Sequence, residues 1–257
     1  MGAGGGTKAN LGIQLYTLRE LMKDNFAKTL EAVSNIGYRG VEFAGYGNYR
    51  AHELKKLMDD FGLEAVSSHI PLIALEQELD AVIAFAKEVG ISYLVCPFLP
   101  EDKRKSLSDY ERLARSLSII GNACESNGIT FCYHNHAFEF ELQTDKDQYA
   151  LDALFDWTKG HHVQAELDLY WIEYAGESAV AYLQKYAGRV PLVHLKDMEN
   201  GEGRGFRELG QGIFDLSQMV ETAKESGSKW LFVEQDECLG DPLESVLSSF
   251  AYMQTIL

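Results

Sequence analysis

The chain has 257 residues, enough to bury a large core as one α/β barrel or two smaller domains. Its 39 acidic against 23 basic residues give a formal net charge of -16. Such a surface should repel a polyanion, which argues against nucleic acid as a partner, because binding it relies on Lys and Arg displacing counterions from phosphates.

Met1 to Ala9, MGAGGGTKA, reads as a flexible tail without the apolar core of a secretory leader. From Leu11 onward, short apolar runs alternate with segments of helical periodicity. The predicted strands are LGIQLY (11–16), GVEFA (40–44), LEAVSSH (63–69), SYLVCP (92–97), ITFCYHNH (129–136), HVQAELDLY (162–170), VPLVHLKD (190–197) and WLFVEQ (230–235). The helices that follow them are expected near 24–36, 50–61, 73–89, 106–127, 147–158, 176–187, 214–226 and 242–256. Eight strand–helix units over residues 10–257 match a single (β/α)8 TIM barrel. A doubly wound open sheet would carry a Gly-rich phosphate turn after its first strand, where this chain has YTLRELMKD. Cys96, Cys124, Cys132 and Cys238 lack CxxC spacing and read as reduced residues of a cytoplasmic protein. No apolar run reaches the length of a membrane span.

Alternate strand residues face opposite sides, and barrel active sites lie at the C-terminal strand ends. This parity turns Tyr16, Glu42, His69, His134, His136, Gln164, Glu166, Asp168, Tyr170, His194, Lys196 and Glu234 inward. Each alone reads most simply as a hydrogen-bonded core residue. Together, His134, Asp168, His194 and Glu234 at one rim would be costly without a compensating cation or polar ligand. Two imidazoles and two carboxylates suit one divalent metal ion, with Mn, Co, Zn, Fe and Mg all compatible.

The segments IQLYTLR (13–19), GYRGVEFAG (37–45), YHNHAFEF (133–140), AELDLYWIEYAG (165–176), VHLKD (193–197) and VEQDE (233–237) resemble the xylose isomerase-like TIM barrels grouped as sugar phosphate isomerases/epimerases. The resemblance implies a metal held by Glu, Asp, His and Glu from strands five to eight, with the two glutamates acting as acid and base. It carries over to Asp168, His194 and Glu234. At the first ligand the family's ENH turn is replaced by HNH, which leaves His134, or Glu139 or Glu141 from the following loop, to fill the position. The implied chemistry is proton abstraction next to the carbonyl of a small sugar or keto-sugar, phosphorylated or not. Glu234 serves as one base, and His134, His136 or Glu139 as the other. Without a second base, the same start leads to elimination, as in inosose dehydratases or enzymes cleaving 3-keto-glycosides. A non-catalytic metal- or sugar-binding subunit is the third reading.

Around this centre, Lys196 is expected to bind a substrate oxygen, or else to pair with Glu166 or Asp236. Glu42 and His69 are expected to bond hydroxyls, Tyr16 to form pocket floor, and Trp171 to stack on a sugar face. Arg204 and Arg207, in the Gly-rich loop 199–212, are a weaker candidate for phosphate. Homodimer formation is compatible with the acidic surface. The letters HNH carry no nuclease meaning here, since they are contiguous on one strand, and no Gly-x-Ser-x-Gly elbow is present.

Overall fold

A computed structural model describes residues 9–144 and 148–257. Most of the expected tail, Met1 to Lys8, and the first residue of the expected helix at 147 lie outside the described residues. Ala9, which the expectation included in the tail, is buried against the core.

The apolar runs become the parallel strands β1 (Asn10–Gln14), β2 (Gly40–Phe43), β3 (Glu64–His69), β4 (Tyr93–Cys96), β5 (Thr130–His134), β6 (Val163–Asp168) and β7 (Leu192–Leu195). Asp197–Met198 (β8) and Phe206–Arg207 (β9) form a small antiparallel ribbon, and Trp230–Val233 is β10. Seven of the eight barrel strands follow one another around the wall, and β10 closes it between β7 and β1. The helices are α1 (Arg19–Ile36), α2 (Ala51–Phe61), α3 (Leu72–Gln77), α4 (Leu79–Val89), α5 (Leu107–Ser126), α6 (Ala150–Trp157), α7 (Leu169–Tyr174), α8 (Ala179–Lys185), α9 (Leu216–Glu225) and α10 (Pro242–Ile256). The chain is thus an eight-stranded closed TIM barrel. No helix among the described residues is long and apolar enough to cross a membrane.

Two hydrophobic layers result from strand alternation. Outward residues such as Ile13, Val41, Phe131, Leu167, Val193 and Val233 pack under the helices. Inward, Val66, Val95, Cys132, Leu192, Trp230 and Phe232 plug the lower part of the barrel. The Trp230 ring lies against Gly40, where any Cβ would collide with it. This floor forces the polar inward residues to the open, C-terminal end.

Several element ends differ from expectation for local reasons. The helix expected at 73–89 is two, α3 and α4, because Glu78 leaves helical geometry at φ -130° and ψ 24°. Strand six stops at Asp168, whose carboxylate caps α7 by accepting from the N–H of Tyr170 and Trp171 at 3.0 and 3.2 Å. Strand five stops at His134; beyond it the Asn135 side chain mimics a strand partner, accepting from Asp168 N at 3.0 Å and donating to Asp168 O at 3.3 Å. The strand expected from 190 to 197 ends at Leu195, and Asp197 enters the ribbon. All four cysteines are unpaired, and all but Cys238 are buried.

Candidate metal centre and cavity

Strand register brings polar residues to the same height: Gln14 beside Glu42, His134 beside Glu166, and Asp168 beside His194. They form two stacked layers. In the lower one, Glu166 Oε2 lies 2.8 Å from His69 Nε2, 2.9 Å from His134 Nδ1 and 3.3 Å from His194 Nε2. Glu42 Oε1 lies 2.6 Å from His194 Nε2 and 3.1 Å from His69 Nε2, and accepts from Gln14 Nε2 at 2.8 Å. In the upper layer, His194 Nδ1 meets Glu234 Oε2 at 2.7 Å. The Lys196 ammonium stands 2.8 Å from both Asp168 Oδ2 and Glu234 Oε2, and 3.1 Å from Asp236 Oδ1.

Burial opposes every charge here, and the neighbours decide which persist. Burial resists protonation of His69, yet Glu42 and Glu166 raise it to about 10. It resists protonation of His194 too, but Glu166, Glu234 and Glu42 hold that imidazole well above its ordinary value. Lys196 is likewise raised by Asp168, Glu234 and Asp236. Burial also works against the charge on Glu234, which Lys196 and His194 nevertheless pull below the usual carboxylate range. His134 is pushed well below its ordinary value by burial and by His194. Burial and Lys196 lower His136 to about 3. Thus two neutral imidazoles from the β5 end face a cluster of charged groups.

Two sets of donor atoms have the compactness a metal ion requires: His69, His134, Glu166 and His194, and Asp168, His194 and Glu234, each within 4.8 Å. Buried Glu42 Oε2 and Glu166 Oε1 have no hydrogen-bond partner, an expensive state that a bound cation would relieve. The His/Glu/Asp cluster therefore fits a divalent metal.

Of the four ligands expected from sequence, Asp168, His194 and Glu234 fall in one group, while His134 falls in the other and reaches Asp168 Oδ2 only at 3.5 Å. Glu139 is not brought to the cluster. Its carboxylate is fully buried and turned outward, accepting from Tyr133 OH at 2.7 Å and His136 N at 2.8 Å. Glu141 is exposed beyond it. Glu166, expected as a partner of Lys196, instead joins the three imidazoles, and Lys196 takes Asp236. Glu42 serves His69 and His194 rather than the open cavity. Sequence reasoning passed over Gln14, which shares the inward parity of Tyr16.

Above the cluster opens a cavity of about 730 Å³, lined in part by His69, His134, His136, Lys196, Glu234 and Asp236. Another cleft, of about 780 Å³ between α1 and α2, is remote from this chemistry. Tyr16 stands at the cavity's edge, 43% exposed, because the chain turns into a 3-10 segment at Leu15–Leu18. The Trp171 ring lies 5.6 Å from that of His136 and 5.7 Å from the Lys196 ammonium. Arg204 is occupied elsewhere, donating to Tyr174 O at 2.9 Å, and neither it nor Arg207 lines the cavity.

A closed parallel barrel with a His/Glu/Asp cluster at its C-terminal mouth defines a TIM barrel with a metal-type centre. Residues 30–256 match the family model described as xylose isomerase-like TIM barrel, and the chain belongs to that family. An inosose dehydratase of Clostridium beijerinckii is 24% identical over 91% of both chains. A sugar phosphate isomerase/epimerase structure from Parabacteroides distasonis superposes with TM-score 0.82 at 23% identity, covering 98% of this chain and 96% of that one. A 3-keto-D-glucoside 4-epimerase structure from E. coli gives TM-score 0.72 at 18% identity, covering 96% of this chain and 100% of that one.

Proposed function

We propose that the protein is a metal-dependent isomerase or epimerase that removes a proton next to the carbonyl of a small sugar or keto-sugar. One observation carries this reading: an ionised carboxylate, Glu234, and a neutral imidazole, His136, line one cavity from separated strand ends beside the His/Glu/Asp cluster. Held ionised by Lys196 and His194, Glu234 is the base. His136 is held neutral by burial and Lys196, and its ring borders the same cavity from the β5 end, where it is placed to hydrogen-bond the substrate. Lys196 projects its ammonium between Asp168 and Glu234, where it stabilises negative charge developing on a substrate oxygen. Asp168, His194, Glu234 and His134 are the residues proposed to hold the cation, with Glu166 and His69 directly behind them. A divalent cation there supplies polarisation of the carbonyl and its neighbouring hydroxyl.

A second reading, elimination of a β-oxygen after the same abstraction, is favoured by the likeness to inosose dehydratases over 91% of the chain. Incubation with ketoses and 3-keto-sugars in deuterated water, read by NMR, separates the two. Epimerisation gives deuterium in a sugar of unchanged composition, whereas elimination gives loss of water or of an aglycone. Absence of any exchange from every substrate would remove both readings. Glu234→Gln is expected to lower turnover by at least about 100-fold. Purified Asp168→Ala and His194→Ala proteins are expected to lose most of their bound metal; unchanged content would refute the ligand assignment.

A further inference from the structure

The cavity is two-sided. Its polar half is the cluster described above, while the opposite half is built by Tyr46, Ile70, Ala74, Val82, Pro97 and Phe98. The Tyr46 ring is fixed as wall: its hydroxyl donates to Ser68 Oγ at 2.7 Å and its ring stacks on Phe85 at 4.4 Å. Phe98, 46% exposed at the lip, stands edge-on to His136 at 5.4 Å between ring centres. At about 730 Å³ the space has room for a sugar ring and a further apolar group. Water held against such a wall is readily displaced by an apolar group.

Charge points the same way. Three carboxylates, of Glu234, Asp236 and Glu237, face the cavity. The cationic side chains lining it among the described residues are Lys196, which stands among three carboxylates, His69, which is held by Glu42 and Glu166, and Arg19 at the edge, which donates to Tyr16 O at 3.0 Å and lies over the Tyr16 ring. A phosphate dianion placed beside these three carboxylates would meet like charge.

We infer that the cavity takes an uncharged glycoside carrying an apolar or aromatic aglycone, with the sugar ring on the polar cluster and the aglycone on the Tyr46–Phe98 wall, and that it rejects sugar phosphates. The orientation rests on the proposal that a sugar meets the His/Glu/Asp cluster.

Calorimetric titration of the full metal-loaded chain with phenyl D-glucopyranosides, methyl D-glucopyranosides (both anomers of each) and glucose 6-phosphate tests this. The phenyl glycoside is expected to bind at least about tenfold tighter than the methyl glycoside, and the phosphate no tighter than the methyl glycoside. Ala74→Trp, which fills the apolar half, should collapse the phenyl-to-methyl ratio toward one; Phe98→Ala, at an exposed position, should reduce it several-fold. Equal affinities for phenyl and methyl glycosides, tightest binding of the phosphate, or a ratio untouched by both substitutions would overturn the inference. Solvent-deuterium exchange into keto-sugars tests the catalytic reading separately. Exchange without phenyl preference defeats only the present inference, and phenyl preference without exchange defeats only the catalysis.

Discussion

Lys196 is almost wholly buried, yet its ammonium is surrounded by the carboxylates of Asp168, Glu234 and Asp236. Removing it would leave carboxylates buried with less compensation, so Lys196→Met is expected to lose about 3–5 kcal/mol in urea denaturation. A loss under about 1 kcal/mol would show that water or another cation already serves those groups. Glu139 presents the opposite case, a buried carboxyl with hydrogen bonds but no ion pair. Burial raises it from an ordinary 4.5 to about 8. Because its folded-state pKa exceeds its unfolded one, its contribution to stability is complete below about pH 4.5 and is lost as pH rises toward 8, at up to about 1.4 kcal/mol per pH unit. Denaturation of wild type and Glu139→Gln between pH 5 and 8 should therefore give curves that diverge with this sign. Parallel curves would mean that the carboxyl is already ionised when folded.

At the scale of elements, Asp168 and Asp197 show how one carboxylate organises a turn and serves a neighbour. Asp168 Oδ1 caps α7 while Oδ2 faces Lys196, so the end of a strand, the start of a helix and the cavity charge are joined in one side chain. Asp197 is fully buried and accepts from the N–H groups of Met198, Gly210, Gly212 and Phe214. It pins the Gly-rich loop, and a Cβ at Gly212 would strike its carboxylate. Asp197→Ala frees these donors at once, with an expected cost of about 2–4 kcal/mol and faster proteolytic cleavage within 199–206. Unchanged cleavage would show that β8 and β9 hold the loop without it. The sequence marked this stretch as Gly-rich but carried no periodic signal for a ribbon, because its order comes from one side chain gathering distant amides.

Across the whole molecule, the charged centre joins strands from every quarter of the barrel, so a cation bound there should stabilise the entire fold. At a free metal concentration 100 times Kd the gain is about 2.7 kcal/mol, so thorough chelation is expected to lower Tm by on the order of 5–10 °C. The His194→Ala protein should show little of that drop; an equal drop in both would place the metal elsewhere.

The strand–helix alternation, the barrel and the polar character of its mouth were legible in sequence because they depend on periods of two and 3.6 residues, which are local. The inward placement of His134, Asp168, His194 and Glu234 near the strand ends was read from the same alternation. Which inward groups meet which was not legible. Glu42 reaches His194 across 152 residues, Glu166 gathers three imidazoles, and Glu139 turns away to Tyr133. Such pairings depend on strand register around the closed barrel, on caps that end strands early and on the packing of loops. These act between residues far apart in the chain, so only the folded barrel could decide them.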